Sequence, residues 1–265
     1  MSQSKGVALI TGAAQGIGRA IAVRLAQDGF DLALNDLPGK KEVLEDFATE
    51  LRRGEGSESS YRPRTCIVTC DVSKEDEVTN MIDTAVDVLG SLDVMVANAG
   101  ISAMVDILNE TLEGWDRMMR INATSAFLCY KYAAIQMVKQ GRGGRIIGAS
   151  SMVGIQATSP LMSYSASKFA VRGITQAAAL QLGQYKITVN SYAPGIIATP
   201  MVVASKSQIV KRGDKVDYFQ KTIDTSAVGY VGQPEDVASV VAYLASKEAH
   251  FVTGKFPFPQ GLYLN

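Results

Sequence analysis

The chain has few of the residues that bind metals or form disulfide bonds. Its 265 residues include one histidine, His250, and three cysteines, so we do not expect a dedicated zinc site. Cys66 and Cys70 lie four positions apart in a strand-like run. That spacing separates them by about 13 Å, which is too far for a disulfide. We therefore expect free thiols at Cys66, Cys70 and Cys129, no bound metal, and a reducing, cytoplasmic compartment.

The chain also lacks an excess of either charge and any long apolar run. Lysine plus arginine equals aspartate plus glutamate at 26 each, so no overall field attracts nucleic acid or an anionic membrane. No apolar run reaches the ~20 residues that a membrane-spanning helix needs. The first residues show no charged, apolar and small-residue pattern of a signal peptide. We expect neither nucleic acid nor membrane among its partners.

Short apolar runs alternate along the chain with longer segments of helical periodicity. The strand-like runs are 7–11, 31–36, 65–71, 92–100, 144–151, 185–195 and a last one near 254–258. This alternation predicts an α/β fold, a single-domain, Rossmann-like, doubly wound parallel sheet of about seven strands with helices on both faces. The domain is expected to span 1–265. The least regular stretch, 200–232, is predicted to be a substrate lid, with a plain surface excursion as the alternative.

A glycine-rich turn joins the first predicted strand to the first predicted helix. It reads TGAAQGIG from Thr11, with Gly12, Gly16 and Gly18 at the spacing G-x-x-x-G-x-G. Glycines permit a tight turn and close backbone approach, and a helix N-terminus offers free N–H donors and a positive dipole end. The turn therefore predicts a phosphate-binding site.

A carboxylate ends the second predicted strand, eighteen residues after Gly18. Asp36 at this position can accept hydrogen bonds from both hydroxyls of an adenosine ribose and repel a 2′-phosphate. This favours NAD(H) over NADP(H), although Lys40 and Lys41 could soften the repulsion. The alternative is that Asp36 is only a turn residue before Pro38.

Three polar side chains can meet beside such a nucleotide. Tyr164 and Lys168 lie four apart, so on a helix they share one face, and Ser151 precedes Tyr164 by thirteen residues. A tyrosine normally titrates near ~10, so a neighbouring ammonium is expected to lower the phenol pKa toward neutral pH. Taken alone, the pair could equally be a polar stripe on a surface helix.

The motifs together resemble the short-chain dehydrogenase/reductase family over nearly the whole chain. The matching segments are TGAAQGIG (11–18), Asp71-Val72, ANAG (97–100), Asn122, Ser151, Tyr164-x-x-x-Lys168 and PGIIATP (194–200). Within the family, ITVNSYAPGIIATPM (187–201) and the final Leu-Asn resemble the acetoin/diacetyl reductases, or 2,3-butanediol dehydrogenases. Related polyol and sugar dehydrogenases share parts of that string.

The resemblance implies a role for each matching residue. Tyr164 is implied as the acid/base, and Lys168 as the group that lowers its pKa and binds the nicotinamide ribose. Ser151 is implied to hydrogen-bond the reacting oxygen, and Asn122 to hold a proton-relay water. The implied cofactor-binding residues are Gly12, Gln15, Gly16, Ile17, Gly18, Asp36, Asp71, Val72, Asn98, Ala99, Gly100, Tyr164, Lys168, Pro194, Gly195, Ile197 and Thr199. The expected substrate pocket borders Ser102, Met152, Ile155, Ile196 and Met201.

The implied function is hydride transfer between NAD(H) and a small secondary alcohol or ketone of the acetoin, diacetyl or butanediol type. A polyol or sugar dehydrogenase and a 3-oxoacyl reductase remain alternatives on the same fold. A non-catalytic nucleotide-binding regulator is disfavoured, because a pure binder does not need the acid–base set. The resemblance also implies a homo-oligomer, a dimer or tetramer. The family's usual Asp-Gly-Gly is replaced within FPFPQGLYLN (256–265), and the loop 54–64 is longer than usual, as expected of a surface insertion.

Overall fold

Buried apolar runs form the strands of one parallel sheet. The computed structural model describes residues 3–54, 59–212, 218–224 and 226–257. The strands are β1 (Val7–Thr11), β2 (Asp31–Asp36), β3 (Thr65–Thr69), β4 (Val94–Ala97), β5 (Gly144–Ala149) and β6 (Ile187–Tyr192). They pair in parallel in the order β3-β2-β1-β4-β5-β6. This order confirms the predicted doubly wound, Rossmann-like α/β fold.

The sheet has six strands in the described residues rather than about seven. The carbonyls of Lys255 and Pro257 accept hydrogen bonds from the amides of Ser191 (2.9 Å) and Ala193 (3.0 Å), so this segment does run beside β6. In a parallel ladder the amide of residue 257 would donate back to the carbonyl of Ser191. Pro257 has no amide hydrogen, so this return bond is missing. The amide of Gly254 donates to the carbonyl of Val189 (2.8 Å), but residues 254–257 form no regular strand. Residues 258–265 lie outside the described part.

Helices cover both faces of the sheet, as the alternation predicts. They are α1 (Gly16–Gln27), α2 (Lys41–Arg53), α3 (Glu75–Leu89), α4 (Leu112–Met119), α5 (Ser125–Gln140), α6 (Met162–Leu182), α7 (Pro200–Arg212), α8 (Tyr218–Asp224) and α9 (Pro234–Ala245). Apolar side chains of α1, α2 and α9 pack on one face of the sheet. Those of α3, α5 and α6 pack on the other face. The stretch 200–232 was predicted to be irregular, and that was wrong, because α7 and α8 occupy much of it.

The helical segment between Leu112 and Gln140 is interrupted. Helix α4 is followed by a π-turn at Arg120–Thr124, and α5 begins only after it. The side chain of Asn122, in this turn, accepts a hydrogen bond from the amide of Ile101 (2.8 Å) and donates one to its carbonyl (2.9 Å). The π-turn thus places Asn122 against a backbone segment twenty-one positions away, and π-turns recur at functional sites.

Several expectations from composition can be compared with the described residues. Cys66, Cys70 and Cys129 are free and buried, as predicted. Within ranges 3–54, 59–212, 218–224 and 226–257, no helix is long and apolar enough to cross a bilayer. The same ranges hold no group of three or more His, Cys, Asp or Glu side chains placed to bind a metal ion.

The long loop before β3 is anchored to the buried start of β2. Asp31 is 1% exposed and accepts hydrogen bonds from the Tyr61 hydroxyl (2.7 Å) and from the amide and guanidinium of Arg64 (2.7 and 2.8 Å). Burial raises the pKa of Asp31, but these hydrogen bonds and the Arg64 charge outweigh it and hold that pKa below 3.8. The end of the loop is therefore part of the fold, while residues 55–58 lie outside the described part.

We predict that Asp31→Asn lowers the free energy of unfolding by about 2 kcal/mol at pH 7, because hydrogen bonds to a charged acceptor are lost. Since the pKa of Asp31 is lower in the folded than in the unfolded protein, its charge contributes fully to the free energy of unfolding above about pH 5. That contribution is lost as the pH falls below 3.8. Urea unfolding at several pH values measures both effects. Asp28→Asn, at a surface pair with Arg24, is the control and should cost under about 0.5 kcal/mol. Equal losses in the two variants would contradict the prediction.

Candidate active site

A cleft of about 630 Å³ opens at the carboxyl ends of the strands. It lies where the strand order reverses between β1 and β4, which is the position where open α/β sheets bind ligands. The predicted residues that line it are Gly12, Gln15, Gly16, Ile17, Gly18, Asp36, Asp71, Val72, Asn98, Ala99, Gly100, Tyr164, Lys168, Pro194, Thr199 and Met201. Most of the predicted cofactor-binding residues therefore meet in one place.

The glycine turn has a backbone that only glycine adopts without strain. Gly12 and Gly16 have φ values of +66° and +56°. A Cβ on Gly18 would lie 2.1 Å from the carbonyl oxygen of Gly12, so the first helical turn packs directly on the loop. Gln15 precedes α1 without a side-chain cap, which leaves the first helical amides free to bind an anion. This cradle fits a dinucleotide pyrophosphate.

Asp36 lies at the cleft as the last residue of β2. One carboxylate oxygen accepts a hydrogen bond from the amide of Ala14 (3.0 Å) and the other from the amide of Leu37 (2.9 Å). Each bond leaves further lone pairs for a ligand hydroxyl. The carboxylate is thereby tied to the glycine turn as well as to its own strand.

Asp71 lines the same cleft beyond Asp36. Burial raises its pKa, but hydrogen bonds from Ser73 and the charges of Lys74 and Arg120 hold that pKa below 3.8. The cleft residues that sequence reasoning missed are Leu37, Ser73, Lys74, Ile101, Arg117, Arg120, Ile121, Ala149, Ser150, Tyr192 and Pro200. Several are neighbours of matched motifs, whereas Arg117 and Arg120 carried no sequence signal.

Tyr164, in the first turn of α6, is hydrogen-bonded to Ser151, which is 7% exposed. The Ser151 hydroxyl also caps a short turn by accepting a hydrogen bond from the amide of Val153 (3.3 Å). The ring of Tyr164 packs against the apolar cluster of Met104, Val153, Leu161, Ile196 and Phe219. The two hydroxyls thus meet where the cleft adjoins apolar surface.

Lys168 is buried one turn further along α6. It is 4% exposed, its Nζ donates to the carbonyl of Ala149 (2.9 Å), and Nζ lies 5.5 Å from the centre of the Tyr164 ring. Burial lowers the pKa of Lys168 to about 8. A substantial part of the population is therefore still charged at neutral pH, in surroundings that disfavour the charge.

The expected lowering of the Tyr164 pKa was wrong. Burial raises that pKa to about 12, and only the hydrogen bond with Ser151 acts in the opposite direction. The ammonium of Lys168 sits over the ring and bonds to Ala149, so its interaction with the hydroxyl does not overcome desolvation.

Asn122 lies behind Gly100 rather than on the cleft wall. A Cβ on Gly100 would lie 3.1 Å from Oδ1 of Asn122 and 3.4 Å from Nζ of Lys168, so both groups converge on this glycine. The amide nitrogen of Asn122 also donates to the hydroxyl of Ser167 (3.0 Å), which donates to the carbonyl of Tyr164 (2.7 Å). The π-turn is thus joined to the helix that carries Tyr164 and Lys168.

The remaining predicted residues lie around the cleft rather than on its wall. Ile196 belongs to the apolar cluster and Met152 packs against it. The hydroxyl of Ser102 lies 3.3 Å from the hydroxyl of Ser205 on α7. The other predicted residues off the wall are Ser151, Gly195, Ile155 and Ile197, the last of which is 3% exposed.

Comparisons with known proteins agree with this site. A family model described as enoyl-(acyl carrier protein) reductase matches residues 12–257. A short-chain dehydrogenase/reductase of Armillaria gallica is 47% identical over 94% of this chain and 92% of its own. The L-2,3-butanediol dehydrogenase of Corynebacterium glutamicum is 38% identical over 96% of this chain and 97% of its own. The crystal structure of levodione reductase has a TM-score of 0.89 at 30% identity and covers 98% of each chain.

The chain therefore belongs to the short-chain dehydrogenase/reductase family of oxidoreductases, which use nicotinamide cofactors. The predicted resemblance to 2,3-butanediol dehydrogenases within it is confirmed as a similarity.

We predict that Gly18→Ala weakens NADH binding at least tenfold, because the added Cβ collides with the Gly12 carbonyl and the Asn98 amide. Titration of NADH fluorescence measures the dissociation constant. Gly173→Ala in α6 is the matched control, since its Cβ meets nothing within 4 Å and alanine favours a helix. Unchanged affinity in folded Gly18→Ala would show that the turn does not hold the nucleotide.

Proposed function

We propose that the protein transfers a hydride between NAD(H) and a small secondary alcohol or ketone of the acetoin, diacetyl or butanediol type. The observation that carries this proposal is the meeting of the Ser151 and Tyr164 hydroxyls beside the apolar cluster of Met104, Val153, Leu161, Ile196 and Phe219. Such surroundings favour an uncharged, compact substrate with one reacting oxygen. The similarity to an L-2,3-butanediol dehydrogenase supports the same substrate class.

When bound, a nicotinamide dinucleotide would supply the hydride to the ketone carbon, or accept one from the alcohol carbon. In reduction, negative charge grows on the substrate oxygen, where the Ser151 hydroxyl donates a hydrogen bond and the Tyr164 hydroxyl donates the proton. In oxidation Tyr164 first loses its proton to the relay water, and the tyrosinate oxygen then takes up the hydroxyl proton of the alcohol. With its pKa raised to about 12, the Tyr164 phenol is protonated at neutral pH and has a proton to donate.

Lys168 and Asn122 act behind the phenol in this proposal. Lys168, held by Ala149, binds the nicotinamide ribose and stabilises the tyrosinate as it forms. Asn122 keeps a lone pair on Oδ1 for a relay water, because the amide of Ile101 uses only one. Gly195, Ile197 and Thr199 are proposed to lie along the nicotinamide carboxamide.

The substrate is proposed to enter between the apolar cluster and α7. Ser102, Met152, Ile155, Ile196 and Met201 are the proposed contacts. The segment 200–232 acts as the lid, since Ser205 of α7 meets Ser102 and Phe219 of α8 joins the cluster. Opening these two contacts would admit substrate without disturbing the sheet.

A homo-oligomer and a cytoplasmic location complete the proposal. Phe127, Ile135 and Val138 lie on one face of α5 and are 46%, 55% and 38% exposed, while Phe169 on α6 is 40% exposed. A second copy of the chain would cover this apolar surface. The free buried thiols are consistent with a reducing compartment.

We predict that Tyr164→Phe lowers kcat for ketone reduction at least 10²-fold, because the proton donor is lost, and leaves NADH affinity within about threefold. The assay follows NADH absorbance with a panel of acetoin, diacetyl, butanediols, polyols, sugars and 3-oxoacyl thioesters. Tyr185→Phe, at an exposed tyrosine, is the control and should retain full activity. Near-normal turnover by Tyr164→Phe would overturn the acid/base assignment, and greater efficiency on polyols or thioesters would overturn the substrate class.

We predict that Asp36→Ala lowers the ratio of kcat/KM for NAD over NADP at least tenfold. The variant loses both an acceptor for the ribose hydroxyls and a negative charge that repels a 2′-phosphate. Steady-state kinetics with each cofactor measure the ratio. Asp46→Ala, at an exposed carboxylate on α2, should leave it unchanged. An unchanged ratio in Asp36→Ala would mean that another group reads the ribose.

A further inference from the structure

Tyr192 is a buried tyrosine that the proposed reaction does not use. It ends β6, is 1% exposed, and its side chain reaches the wall of the cleft. Its partner in the strand register is Ala149 of β5, which is small and leaves room above the neighbouring strand. A phenylalanine would fill the same volume, so packing alone does not explain the hydroxyl.

The Tyr192 hydroxyl donates a hydrogen bond to Oδ1 of Asn98, 2.7 Å away. On its other side, the Asn98 amide nitrogen donates to the carbonyls of Thr11 (2.8 Å) and Gly12 (3.3 Å). These neighbours fix the orientation of the amide, since a flipped amide would place its oxygen against two carbonyl oxygens. The Tyr192 hydroxyl therefore donates to Asn98 in the amide orientation that bonds to the glycine turn.

The Gly12 carbonyl packs closely against the first turn of α1. Gly12 has a left-handed backbone, and its oxygen lies where any side chain on Gly18 would collide. The amides of Asn98 and Ala99 add two further bonds of 3.0 Å to the hydroxyl of Thr11. The position of the first α1 amides, which bind phosphate, thus depends on how Asn98 is held.

We propose that Tyr192 is a positioning residue for the nucleotide: its hydroxyl orients Asn98, which holds the Thr11 and Gly12 carbonyls and so fixes the phosphate-binding turn. The proposal rests on NAD(H) binding in this cleft, as set out above. Removing the hydroxyl leaves Oδ1 of Asn98 without its donor, so the amide is held less firmly against the Thr11 and Gly12 carbonyls. Dinucleotide affinity then falls, while the acid–base groups on α6 keep their places.

Titration of NADH fluorescence in a double-mutant cycle tests the coupling. We expect Tyr192→Phe to raise the dissociation constant about fivefold in the wild-type background and less than twofold in the Asn98→Ala background. With saturating NADH, kcat and the KM for ketone should change less than twofold. Tyr130→Phe, which removes a buried hydroxyl bonded to Thr175 (3.0 Å), is the matched control and should leave NADH affinity unchanged.

Each other outcome overturns the inference in an identifiable way. An unchanged dissociation constant in Tyr192→Phe would show that the hydroxyl is not needed. If Tyr192→Phe raised the dissociation constant by the same factor in both backgrounds, Tyr192 would act without Asn98. If Tyr130→Phe weakened NADH binding equally, the effect would come from general loosening of the fold. Failure of the wild-type protein to bind NADH would instead remove the proposed function and this inference together.

Discussion

The burial of the Lys168 ammonium is the constraint on which the site depends. Desolvation disfavours its charge, yet the carbonyl of Ala149 accepts a hydrogen bond from it and the face of the Tyr164 ring lies nearby. With a pKa of about 8, the group is charged about ten to one at pH 7. A charge that is kept but poorly solvated interacts strongly with any new negative charge nearby. A phenolate, or an alkoxide beside it, is such a charge.

The surroundings of this ammonium explain features that otherwise look unrelated. A side chain on Gly100 would crowd Asn122 and Lys168, because both side chains converge on this glycine. The π-turn aims Asn122 at that point, and Ser167 ties the turn to the Tyr164 helix. On the opposite wall the glycine turn is held through Asn98. The acid–base half and the nucleotide half thus meet at the ends of β4 and β5.

Much of the fold and most of the cofactor wall could be predicted from the sequence. Alternating apolar runs and the glycine turn are local signals, and motif spacing located Asp36, Tyr164 and Lys168. Three features could not be predicted. The π-turn depends on Asn122 reaching Ile101, twenty-one positions away. The missing return bond at Pro257 depends on an amide hydrogen that proline lacks. The phenol pKa depends on burial, which the Tyr-x-x-x-Lys spacing does not reveal.

The pH dependence of kcat/KM for NADH, at saturating ketone, tests the central claim most directly because it reports groups of the free enzyme. If the buried ammonium is required, this ratio should fall about tenfold per pH unit above a break near pH 8. Lys168→Arg should lack the break, because a guanidinium keeps its proton throughout that range. A wild-type profile that stays flat to pH 10, or the same break in Lys168→Arg, would contradict the account.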